Sequence, residues 1–201
     1  MQLDGSPRDW FGTGEKCCLM NLADDATGRS FALFFPHETT EAAMRVLRGW
    51  IERYGIPCAL YTDHHTIYVT DRKEPTREEA EQGLPPLTAF GKACHRLGIQ
   101  IIPASSPQAK GRVGRKHGVY QGRLVKEMKL RGIQTIEAAN AFLLSGYLED
   151  LNRRFEKVPP HGKACGFPTG LGKPSGRRPS GFPHLPQPLP LITQGDISKE
   201  C

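Results

Sequence analysis

Along residues 1–155 the apolar positions run in short blocks, then recur at three- and four-residue spacing, then form blocks again. MQLDGS at the start reads as a strand. Apolar runs at residues 16–23 and 29–35 flank the polar DDATG and predict a hairpin, with Asp24 and Asp25 serving the turn. TTEAAMRVLRGWIERYG predicts a helix. Ala43, Val46, Leu47, Trp50 and Ile51 fall on one face, Thr39 or Thr40 can cap it, and Gly55 can end it. CALYTD, residues 58–63, is a short apolar strand that ends in an acid. LTAFGKACHRLG predicts a helix closed by Gly98, and IQIIPA a strand. A helix follows over about residues 107–130, with Val113, Tyr120, Leu124 and Met128 as its buried stripe. TIEAANAFLLSGYLEDLNRRF predicts one last amphipathic helix capped by Thr135. The order β-β-β-α-β-α-β-α-α indicates an α/β fold with a sheet of mixed direction.

Composition changes this picture at the C-terminal end. Nine of the 17 prolines lie in residues 158–201, where large apolar residues are few. Proline fixes φ and removes a donor, so this segment is expected to be a disordered tail. The expected division is a core at 1–157 and a tail at 158–201. Six cysteines show no C-x-x-C spacing, so neither a zinc site nor a disulfide framework is read, and reduced thiols in a cytoplasmic protein are expected. No apolar run approaches the ~20 residues of a membrane span, and no signal peptide is read.

Charge sharpens it further. The chain carries a formal +6. Between residues 82 and 126 there is no Asp or Glu, against eight Lys or Arg: Lys92, Arg96, Lys110, Arg112, Arg115, Lys116, Arg123 and Lys126. Such one-sided charge favours an anionic partner. The same helix carries Gly114, Gly118 and Gly122 at four-residue spacing, each costing about 1 kcal/mol relative to Ala. Acids stand out elsewhere, Asp4 on the first strand and Asp63 at the end of the fourth. Two readings stand for them: turn caps, or oxygen ligands for a hard cation such as Mg²⁺.

QLDGSPRDWF, LADDATGR, TEAAMRVLRGWIERYGIPCALYTD, SPQAKGRVGR and QGRLVKEMKLRGIQTIEAANAFL together resemble the catalytic core of bacterial insertion-sequence transposases of the DDE class, relatives of retroviral integrases with an RNase H-like fold. The resemblance implies metal-dependent phosphoryl transfer in DNA integration and transposition, with Mg²⁺ or Mn²⁺ as cofactor. It places the first two acids on Asp4 and Asp63. The third, a Glu after GRV, falls on Gly114, where the usual GRVER reads GRVGR. Glu127 cannot replace it, lying 13 residues on, about 20 Å along a helix. His117 is read as a surface or phosphate-contacting residue.

The resemblance further implies that Lys110, Arg112, Arg115, Lys116 and Arg123 follow DNA phosphates at transposon ends and target. It also implies self-association with intact transposase and a cytoplasmic, nucleoid-associated place. The short stretch before Asp4, the lost Glu and the unfamiliar tail lead to the expectation of a truncated, catalytically impaired copy. Two rivals remain open: a non-catalytic DNA-binding remnant, and a two-acid nuclease of the same fold.

Overall fold

Blocks of apolar residues that exceed the length of a turn and are broken by Asp, Gly and Thr make residues 2–35 a β-meander. The computed structural model describes residues 1–24, 26–104 and 117–155. In it β1 (Gln2–Arg8), β2 (Cys17–Ala23) and β3 (Ser30–Phe35) pair antiparallel. Asp24 serves the β2–β3 turn as expected, its carboxylate accepting from the Ala26 and Thr27 N–H groups and from the Thr27 hydroxyl.

Helix α1 (Thr40–Tyr54) is capped by the Thr39 hydroxyl and closed at Gly55. It returns the chain so that β4 (Ala59–Thr62) lies parallel to β1, and α3 (Ala89–Arg96) does the same for β5 (Gln100–Pro103) against β4. The five-stranded sheet has the order β3-β2-β1-β4-β5. It is the mixed α/β arrangement that the pattern predicts, and β1, β3, β4 and β5 all run in one direction.

Strand alternation assigns the faces. Leu3, Leu22 and Phe31 are in register and buried. Gly49 of α1 packs on Phe31 so closely that a side chain at 49 would overlap the ring. Gln2, Asp4, Asn21 and Ser30 face the other way, toward the C-terminal helices. There the Tyr120 hydroxyl meets Ser30 Oγ at 2.9 Å. The result is a sheet between two helical layers.

Three elements differ from the pattern. A short helix α2 (Arg77–Glu81) was not foreseen; a reciprocal capping box between Thr76 and Glu79 holds it. The basic helix contains a π-helical turn at Tyr120–Leu124 before α4 (Val125–Leu130). The last helix is two, α5 (Ile136–Phe142) and α6 (Leu148–Phe155), joined by a π-helical turn in which Gly146 takes φ 126°, a conformation that breaks the ladder. Tyr120, Leu124 and Met128 are buried as the stripe requires. Val113, Gly114 and the proposed tail lie outside the described residues.

β3 is an edge strand, and its outer backbone is covered by side chains. Asn152 on α6 accepts from Ser30 N at 2.8 Å and donates to Ser30 O at 2.9 Å. Asn140 on α5 does the same at Phe34, at 2.7 and 2.9 Å. Two amides thus stand in for a sixth strand and block edge pairing.

Candidate active site

Parallel pairing brings the two predicted acids to one edge of the sheet. Gln2 is level with Tyr61, so Asp4, two residues on, comes level with position 63 on the same face. β4 ends at Thr62, so Asp63 begins the loop while β1 continues. Asp63 also serves its own turn: one carboxylate oxygen accepts the His65 N–H at 3.1 Å. The turn-cap reading and a place beside Asp4 are compatible.

A third acid stands at this edge that sequence reasoning did not select. Glu38 follows the end of β3, which runs parallel to β1. Its carboxyl group lies against the backbone of Gly5, in space that any side chain at 5 would occupy. The Tyr68 hydroxyl donates to its Oε1 at 3.2 Å. Burial first, then the negative charge of Asp63, pushes the Glu38 carboxyl above its usual value, with Asp4 adding to the effect. Burial, then the charges of Glu38, Asp63 and Asp4, likewise raises the Tyr68 phenol, which therefore stays protonated and donates. One phenol feels all three carboxylates, so they share one corner. The signal that could have found Glu38 is strand direction: like Asp63, it leaves the carboxyl end of a strand that runs with β1.

His117 is also here, and the surface reading of it is corrected. It is 6% exposed, and its Nδ1 lies 3.6 Å from Asp4 Oδ2. The helix turns this residue toward the sheet, which charge pattern alone did not reveal. Asn21, directly across from Asp4 on β2, is fully buried, and neither amide atom of its side chain has a hydrogen-bond partner. Thr62 Oγ1, beside Asp63, is in the same condition.

Other acids are committed elsewhere. Asp9 accepts the N–H groups of Gly12, Thr13 and Gly14. Glu79 receives Arg72 and the N–H groups of Thr76 and Leu87. Glu127 pairs with Arg131, as its distance along the helix requires. Among the described residues, no three His, Cys, Asp or Glu side chains already form a group that could hold an ion. The donors available from Asp4 and Asp63 are carboxylate oxygens, which suit a hard cation that keeps water and phosphate as its remaining ligands.

Of the predicted phosphate contacts, Lys110, Arg112, Arg115 and Lys116 lie outside the described residues. Arg123 is exposed, its guanidinium 5.3 Å from the centre of the Phe155 ring. No described helix is long and apolar enough to cross a membrane.

No family model matches the chain. It is 36% identical over 173 residues to the transposase y4bF of Sinorhizobium fredii, covering 85% of this chain and 36% of that protein. It is 38% identical over 156 residues to the transposase for insertion sequence IS1202 of Streptococcus pneumoniae, covering 77% of this chain and 32% of that protein. The chain thus spans about a third of the length of these relatives. Among solved structures, the magnesium-bound catalytic core of HTLV-2 integrase superposes with a TM-score of 0.53 at 18% identity, covering 72% of this chain and 81% of that one. The core of BIV integrase gives 0.51 at 21% identity, covering 72% and 80%. At such identities the structural likeness establishes the fold, an RNase H-like integrase core.

Proposed function

The chain being a relative of insertion-sequence transposases, built on an integrase-type core, we propose that it derives from a DNA strand-transfer enzyme and is catalytically impaired. The observation that carries this reading is the parallel pairing of β1 and β4, which brings Asp4 level with Asp63 just past the end of β4, with glycine at 114. Asp4 and Asp63 hold Mg²⁺ or Mn²⁺, which when bound supplies charge to the scissile phosphate and activates the attacking oxygen. Lys110, Arg112, Arg115, Lys116 and Arg123 run along DNA phosphates and confer salt-sensitive, sequence-tolerant affinity. Gly114 contributes no carboxylate, so the cation is held by fewer protein oxygens than the reaction needs. The working unit is residues 1–157, and the protein acts on DNA in the cytoplasm, associating with intact transposase.

The test is nicking of supercoiled and pre-cut DNA. Wild type is expected to give little product, Gly114→Glu a partial gain, and Gly114→Glu with Asp63→Asn none. Robust nicking by wild type that Asp63→Asn leaves intact would overturn the reading. A second reading, a non-catalytic DNA binder, is favoured by the glycine at 114 itself. It predicts DNA affinity untouched by Asp4→Asn and no gain of nicking with Gly114→Glu.

A further inference from the structure

Two arginines of α1 sit over aromatic rings of β3. The Arg53 guanidinium is 4.7 Å from the centre of the Phe31 ring, and that of Arg45 is 5.4 Å from the centre of the Phe35 ring. Phe31 and Phe35 are four residues apart on one face of the strand, and positions 45, 49 and 53 form one stripe of the helix, so the two stacks line up along the edge of the sheet. Between them Gly49 carries no side chain, and its carbonyl accepts from Arg53 Nη1 at 3.1 Å. The row continues at Arg29, 5.5 Å from the centre of the Tyr54 ring. The two phenylalanine rings are buried, while Arg45 and Arg53 are exposed. Neither arginine pairs with a carboxylate among the described residues; Glu52, beside Arg53, is bound by Arg48 at 2.7 Å.

We propose that Arg45 and Arg53 form a second contact surface for DNA backbone phosphates, on the α1 face of the sheet and opposite the face that Tyr120 covers. This rests on the reading of the chain as a transposase relative that acts on DNA. A guanidinium stacked on a ring is held by its face and keeps its N–H edge for a phosphate, so binding has little left to order. Eight residues of helix separate the two side chains by about 12 Å. That is roughly the axial length of three to four phosphates along one DNA strand. The row also has a direction. α1 begins at Thr40, two residues after Glu38. Arg45 therefore lies about 8 Å along the helix from the carboxylate corner, and Arg53 about 20 Å. A duplex leaving that corner meets Arg45 first and Arg53 second.

The experiment measures binding of the full chain to a fluorescent DNA duplex by anisotropy, at salt concentrations from about 50 to 200 mM. Arg45→Gln with Arg53→Gln should make the slope of log K against log salt shallower by about 1.8, the share of two phosphate contacts. Arg45→Lys with Arg53→Lys gives up the same stacking and keeps the charge, so it should retain the wild-type slope. Arg77→Gln removes an exposed arginine already paired with Glu81 and should leave the slope unchanged. If the two arginines only cover the rings, the Gln variant melts at a lower temperature with the slope of wild type, and that result overturns the proposal. Equal flattening by the Gln and Lys variants also overturns it, because charge is then not what the duplex senses. If the Arg45 and Arg53 variants keep the slope while Lys110→Gln with Arg112→Gln, Arg115→Gln and Lys116→Gln flattens it, the DNA reading stands and this surface falls. Wild type that shows no salt-dependent binding of DNA overturns both.

Discussion

The two ends of this sheet treat polar groups in opposite ways. At the edge strand β3, Asn140 and Asn152 satisfy the backbone at Phe34 and Ser30 with four hydrogen bonds, and Tyr120 and Tyr54 bind the same cluster through Ser30 and Asn152. Around Asp4 in β1 and the carboxyl end of β4, the charges of Asp63 and Asp4 press on the buried Glu38 carboxyl, and the buried side chains of Asn21 and Thr62 lack hydrogen-bond partners. The first region spends its polar groups on stability. The second accepts a cost in the free protein of the kind expected where a ligand is to be bound.

The comparison breaks most decisively at Asn152. Asn152→Leu leaves the Ser30 N–H and C=O without their partner in a buried setting, at an expected cost of about 2–4 kcal/mol. Urea unfolding measures it. Asn140→Leu should cost less, about 1 kcal/mol, because Asn140 is half-buried and water can replace it. Equal, small costs at both positions would mean that the amides merely decorate the edge.

Gly5→Ala comes next. The new methyl group would meet the Glu38 carboxyl, which must leave its place and the Tyr68 hydroxyl. About 1–3 kcal/mol of destabilisation is expected, as for other overpacked sites. Removing the obstacle in Gly5→Ala with Glu38→Ala should recover most of it, a coupling that a double-mutant cycle measures. Additive costs would show that Glu38 does not lie against Gly5 in solution.

How much of this was legible without coordinates follows from the range of the interactions. The strands, α1, α3 and the buried stripe of the basic helix come from local periodicity, which the sequence carries directly. Asn140 and Asn152 bind residues more than a hundred positions away, so nothing near them announces their role. Helix α2 is five residues long, too short for periodicity, yet its Thr-x-x-Glu capping box was readable. Asp4 stood out as an acid on the first strand and Asp63 as one ending the fourth, and the resemblance to transposase cores placed the first two acids on them. Glu38 was passed over because its relevance depends on β3 running parallel to β1, and His117 because a helix's facing side is fixed only by what it packs on.

The smallest expected effect sharpens the comparison most, because it reads the repulsion directly. Burial and the Asp63 charge raise the folded-state Glu38 carboxyl above its ordinary value of about 4.3. The folded chain therefore holds this proton more tightly than the unfolded chain does. Stability then falls as pH rises from about 4 through the raised value, and the whole cost is present at neutral pH. Glu38→Gln removes the charge and keeps an oxygen that can accept from Tyr68. At pH 7 the variant should be the more stable, by about 2–4 °C in Tm or less. Its advantage should shrink as pH falls and vanish below about 4, where Glu38 is protonated in both states. Thermal melts of wild type and Glu38→Gln across pH 3.5–8 make the measurement. An advantage constant with pH would place the Glu38 carboxyl in open water and remove it from the cluster. A saturating divalent ion should narrow the difference at pH 7 without removing it, because a cation between Asp4 and Asp63 cancels their field and leaves the cost of burying the Glu38 carboxylate.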